Sequence, residues 1–115
     1  MTIVEKNLRL SELKKMSELF GGVMVKAVVD IEREWLAVDS SLHSDLESLL
    51  LAKGSQQANL WGINIYPDKP SAENIEFDSM INIRPNQKNF SRNVEDEKTR
   101  QKIRTIVRTK VNYER

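Results

Sequence analysis

The sequence predicts an α+β domain: a four-stranded antiparallel sheet covered on one face by helices, in the order αββαββα. Three observations carry that expectation. Apolar and polar residues alternate at period two in 23–31 (VMVKAVVDI), 60–66 (LWGINIY) and 75–83 (IEFDSMINI). The stretches 13–20 and 103–111 instead repeat apolar residues at three- and four-residue spacing. Gly21-Gly22, Gly54, Pro67 and Pro85 stand where such runs should end.

Ser11 is placed to cap a first helix over 12–20, with Leu13, Met16, Leu19 and Phe20 as its stripe and Gly21-Gly22 as its stop. In the strand that follows, Val23, Val25, Ala27, Val29 and Ile31 share one face, and Met24, Lys26, Val28 and Asp30 the other. Arg33-Glu34 closes a turn into a second strand at 35–38, without the Gly or Asn that tight hairpins favour. Ser44 and Glu47 form a capping box that opens a second helix over 45–53, although Leu49-Leu50-Leu51 also allows a strand there. Strands three and four occupy 60–66 and 75–83, stopped by Pro67 and Pro85. The last helix starts at Asn93, with Glu95, Asp96 and Glu97 in its first turn and Lys and Arg in its last, matching the helix dipole.

With 115 residues, one domain spanning 1–115 is expected. A composition of 39% hydrophobic and 30% charged residues excludes disorder. Without cysteine there are no disulfides, thiolate metal sites or cysteine nucleophiles. The first turns of chain lack the continuous apolar core of a signal peptide, and no run reaches the length of a membrane span, so a cytoplasmic location is expected. A net charge of +1 is far from that of a dedicated nucleic-acid binder, although seven Lys or Arg fall between 98 and 115 against one Glu.

On the alternation, Ile75, Phe77, Ile81 and Ile83 face the core, while Asp78, Asn82 and Arg84 face away with Asn64, Lys26 and Asp30. Such a face is ordinarily solvated. The alternative is the polar floor of a cleft, in which Asp78 orients Arg84. The next segment, 84–93 (RPNQKNFSRN), is the densest cluster of donors in the chain. Arg84 and Arg92 offer planar forks suited to phosphate or carboxylate. Asn86, Gln87 and Asn89 can read a ligand's edge, Ser91 adds a hydroxyl, and Phe90 can stack on a base. The loop leads into a helix N-terminus, which favours anions, yet Glu95, Asp96 and Glu97 already occupy that turn. Asn side chains acting only as turns and caps weigh equally with a binding role.

His43, the only histidine, lies between Asp39 and Asp45, which suggests a His/carboxylate metal site or a general base. A surface histidine ahead of a helix is the commoner outcome of this pattern. There is no Gly-rich phosphate loop, nucleophile elbow or histidine pair. Arg100, Arg104 and Arg108 form a row that is usually solvated, and Trp35 and Trp61 read as packing anchors.

The strings VKAVVDIE (25–32), LHSDLESLLL (42–51), NLWGINIYP (59–67) after Gly54-Ser55, EFDSMINIRP (76–85) followed by Gln87, Asn89 and Ser91-Arg92, and VED (94–96) carry a family likeness. Over 10–107 the chain resembles a small prokaryotic family known only as a domain of unknown function. The resemblance implies a compact fold of this size and no particular reaction. It also implies glycine where Lys88 stands, so a tight anion-cradling turn is disfavoured in this chain. Because the signature includes a polar loop as well as core positions, it favours a function there.

The reading that results is a binding module for an anionic ligand (a nucleotide, an RNA phosphate or an acidic protein segment) acting through 84–93 without a cofactor. One alternative is a metal-dependent phosphoryl-transfer or hydrolytic enzyme built on Asp78, His43 and Arg84, with Asp30 and Arg92 assisting. Another is a homodimeric interaction subunit using the exposed sheet face or edge.

Overall fold

Two strands with almost no polar face organise the molecule. Val25–Asp30 and Leu60–Ile65 are buried nearly throughout, which requires cover on both sides of the sheet. The computed structural model describes all residues except Lys6, Glu114 and Arg115. Its elements in chain order are β1 (Thr2–Val4), β2 (Leu8–Arg9), α1 (Leu10–Met16), β3 (Val25–Asp30), β4 (Trp35–Val38), α2 (His43–Ala52), β5 (Leu60–Ile65), β6 (Ile75–Glu76), α3 (Glu97–Lys110) and β7 (Val111–Asn112). Five strands form one antiparallel sheet in the order β1-β4-β3-β5-β6, and β2 pairs with β7 in a separate parallel ribbon.

The α+β class and the antiparallel sheet agree with the sequence; the strand count and the one-sided cover do not. Thr2–Val4 adds a fifth strand at the β4 edge, and three residues are too few to establish a period of two. Helices cover both faces. Leu10 and Leu13 of α1 with Ile103, Ile106 and Val107 of α3 pack on Val25, Ala27, Val29, Trp61, Ile63 and Ile65. On the opposite face Leu46 and Leu50 of α2 pack on Val28, Ala37 and Leu60. Each of those two leucines, fully buried, contributes roughly 2 kcal/mol of apolar burial. The expected polar face is therefore mostly a second core.

Helix starts differ from the sequence-based boundaries for traceable reasons. Ser11 lies inside α1, whose N-cap is Arg9; the last turn tightens into a 3-10 segment at Ser17–Phe20, where buried Ser17 donates to the Lys14 carbonyl. Helix α2 begins at His43, not after Ser44, because His43, Leu46 and Leu50 form the stripe that must bury. Asp96 caps α3 by accepting from Thr99 N at 2.9 Å, so Asn93 and Glu95 belong to the preceding loop. The 31–34 turn has an Asp in place of the missing Gly: Asp30 Oδ1 accepts from Glu32 N and Arg33 N at 2.9 and 3.0 Å.

The largest departure lies in 75–83. Strand pairing stops at Glu76, and Met80–Asn82 is a 3-10 turn. Ile83 is 38% exposed, whereas Asn82 and Arg84 are buried, the reverse of what simple alternation predicts. Gly62 is the cause. With no side chain, it lets Ser79 and Ile81 cross directly over β5, so the chain passes over the sheet and does not extend along it.

Candidate functional site

Asn82 completes the edge of β5 that β6 leaves unpaired. Its Oδ1 accepts from Gly62 N at 2.8 Å, and its Nδ2 donates to Gly62 O and Arg92 O, both at 2.9 Å. One amide side chain thus substitutes for a residue of a neighbouring strand. Asn89 plays a similar part inside the loop: its Nδ2 donates to Asn82 O and Asn93 O at 2.7 Å, and its Oδ1 accepts from Glu95 N at 2.9 Å. Arg84 and Asn89 bridge their backbones around a turn at Pro85–Gln87. Lys88 sits at φ 60° there, so it takes up the left-handed conformation for which the resemblance implied glycine.

Arg84 does not face solvent. Its guanidinium lies 4.3 Å from the centre of the Trp61 ring and donates to the carbonyls of Gln57 and Leu60 and to Gln87 Oε1. Gln87 Nε2 donates to Ala58 O at 3.0 Å, tying the turn to the 57–59 segment. Asp78 does not orient Arg84; it pairs with Arg92 at 2.6 Å on the surface. Asn86 is exposed, and Ser91 Oγ donates to Glu95 at 3.0 Å. The fold thus gathers Asn82, Arg84, Gln87 and Asn89 into one internal network and leaves Asp78 with Arg92 as an outer pair.

The loop's free amides already hold an anion from within the chain. Glu95 Oε2 accepts from Phe90 N at 2.7 Å and Ser91 N at 2.9 Å as well as from the Ser91 hydroxyl. These bonds, led by the Phe90 amide, hold the Glu95 carboxyl below its usual range, and the Thr99 hydroxyl and amide do the same for Asp96.

His43 is buried, at 8% exposure, instead of lying on the surface. Its Nε2 is 2.7 Å from the Ile63 carbonyl, which makes Nε2 the protonated nitrogen of the neutral ring. Asp39 is exposed in a left-handed turn and Asp45 accepts from Ser40, so neither completes a site with His43. Among the described residues no group of three His, Asp or Glu side chains could hold a metal. Asp30 is engaged by its own turn and by Ser55 Oγ at 2.6 Å, opposite Leu60 and away from His43. Burial, chiefly, lowers the His43 pKa, and Lys26 and Arg92 push the same way against the Ile63 carbonyl and Asp78. The unfolded chain therefore takes up this proton first. Stability contributed by neutral His43 is present above pH about 6.5 and declines as pH falls toward the lower folded value, with a slope of at most about 1.4 kcal/mol per pH unit. Urea melts between pH 7.5 and 5 should show that decline, and His43→Gln should flatten it; an unchanged slope in the variant would disprove the assignment.

Beside the loop lies a cleft of about 500 Å³. Gln87, Lys88 and Asn89 line it together with Glu95, Asp96 and Thr99. Ile31, Ala58 and Trp61 complete the lining. Trp61 is 6% exposed, and its indole N–H is buried without a hydrogen-bond partner. An unpaired buried donor of this kind ordinarily costs about 1–3 kcal/mol. Nothing in the period-two pattern separates Trp61 from the core residues Ile63 and Ile65. Its neighbour Gly62 is the one local signal that something unusual approaches this strand. A larger cleft, of about 590 Å³, lies between Glu12, Met16, Leu19 and Asp39.

No helix among the described residues is long and apolar enough to cross a membrane. No curated protein and no solved structure matches the chain. The model of the family described as "Protein of unknown function (DUF5674)" matches residues 2–110, and the chain belongs to that family.

Proposed function

We propose that the protein is a binding module whose ligand seats in the cleft between the 84–95 loop and the start of β5. The observation that carries this is the cleft's mixed lining, in which apolar Ile31, Ala58 and Trp61 lie beside polar residues of the 87–89 turn and the 95–99 segment. Small-molecule sites combine an apolar body with a few well-placed polar groups, and Ile31, Trp61, Lys88, Glu95 and Asp96 make that mixture. The internal network of Asn82, Arg84 and Asn89 acts as the rigid support that keeps the wall in place.

An anion is the ligand class these residues favour least. Arg84 is turned inward, Arg92 is paired with Asp78, and the amides of Phe90 and Ser91 are filled by Glu95. Fluorescence separates the sites, because the chain has two tryptophans and Trp35→Phe leaves Trp61 as sole reporter. A small-fragment set should shift emission or quenching of Trp61 in that variant. Fragments that bind while leaving Trp61 untouched, and instead perturb NMR amides of 12–19, would place the site elsewhere.

A further inference from the structure

We infer that the cleft between α1 and the end of β4 docks a basic, amphipathic segment of a partner protein. Leu19 is 57% exposed and lines this cleft, whose volume is about 590 Å³. Ligand sites typically measure about 300–1,000 Å³. Glu12, Lys15, Met16 and Leu19 follow three- and four-residue spacing along α1 and the 3-10 segment that extends it, so they share one face. Leu10, Leu13 and Ser17 occupy the buried face. Met16 packs half-buried at the border of the core, and Leu19 continues the apolar strip outward along the cleft.

The charges around this strip select its occupant. Glu12, Glu18 and Asp39 line the cleft against one cation, Lys15. Glu12 is paired with Arg9 at 2.9 Å, whereas no described residue bonds the carboxylates of Glu18 and Asp39. An aliphatic side chain flanked by Lys or Arg covers the strip and meets those carboxylates at once. An acidic segment or a nucleic acid is repelled there, and an uncharged apolar molecule leaves both carboxylates unused. A second copy of this chain offers Lys98 and Lys102 on α3, but none of the exposed residues of that helix is apolar, so the strip stays uncovered.

The test is an NMR titration of the ¹⁵N-labelled chain with blocked tripeptides in which leucine stands between two lysines, two glutamines or two glutamates. The lysine peptide should shift the amides of Lys15, Met16, Leu19 and Asp39 saturably, with Kd on the order of 1 mM for so small a ligand, and should weaken as salt is added. The glutamine peptide should bind about fivefold more weakly, and the glutamate peptide should not saturate. Asn is favoured in the left-handed conformation of Asp39, so Asp39→Asn combined with Glu18→Gln should fold. That variant should lose about fivefold in affinity for the lysine peptide and nothing for the glutamine peptide. Leu19→Ser, at an exposed position, should weaken both. Equal binding of the three peptides, or an unchanged affinity in the Glu18/Asp39 variant, overturns the basic partner. Shifts of the same amides on raising protein concentration without peptide assign a second copy as occupant and overturn it equally. No shift of 12–19 and 39 by the lysine peptide overturns the docking site itself.

Discussion

Replacing Asn82 by leucine is expected to lower the unfolding free energy by about 4 kcal/mol, which at this chain length corresponds to a Tm drop of about 15 °C. Leucine has the same branching and heavy-atom count as asparagine but is bulkier, so lost hydrogen bonds and some overpacking act together. Gly62 N–H and Gly62 C=O lose the side chain that satisfies them, in a site closed to water, while Arg92 C=O keeps only the Ser79 amide. Each orphaned backbone group costs about 1–3 kcal/mol, more than the added apolar burial returns. Asn82→Asp should also be severe, because it retains the acceptor for Gly62 N but replaces both donors with lone pairs. Urea denaturation measures the difference directly; a loss below about 1 kcal/mol would mean that Asn82 does not substitute for a strand.

Gly62→Ala is expected to cost about 3 kcal/mol, against the usual sign for such a change within a strand. A Cβ at position 62 would lie 2.5 Å from Ser79 Cβ, 2.6 Å from Ser79 Oγ and 3.1 Å from Ile81 Cγ1. The crossing segment has little freedom to retreat, since Ser79 N donates to Arg92 O at 3.0 Å and Asn82 is locked onto Gly62 itself. Adding Ser79→Gly should recover part of the loss, because the two positions share one contact and their effects are not additive. A Gly62→Ala variant as stable as the parent would show that the crossing is not closely packed.

What the sequence reveals and conceals is sorted by the kind of signal each element leaves. β3, β4, β5, α2 and the apolar stripe of α3 are legible because their periods extend over several residues, and Gly21, Gly22 and Gly54 stop their elements as expected. β1 and the β2–β7 ribbon are too short to show a period. The two-sided cover was partly visible in Val28, an apolar residue on the face read as polar. The 77–83 segment misleads for a definite reason: IEFDSMINI alternates like a strand, but local hydrogen bonds from Asn82 and the opening above Gly62 outweigh β propensity. In the loop the residue types were informative about importance and silent about direction. Arg84 and Asn89 look the same in a sequence whether they reach for a ligand or for Leu60 and Asn82 carbonyls. Trp61 reads as core because it is core, and only three-dimensional placement reveals that its N–H lacks a partner.

The most direct test compares the affinity of the parent protein and of Ala58→Phe for a fragment that perturbs Trp61. Ala58 is an exposed residue of the cleft lining, so a larger side chain there occupies the cleft without entering the core. The expected result is a folded variant whose binding is weakened about tenfold or more. Equal affinity in the two proteins, or no saturable binding by the parent, would contradict a ligand site in this cleft.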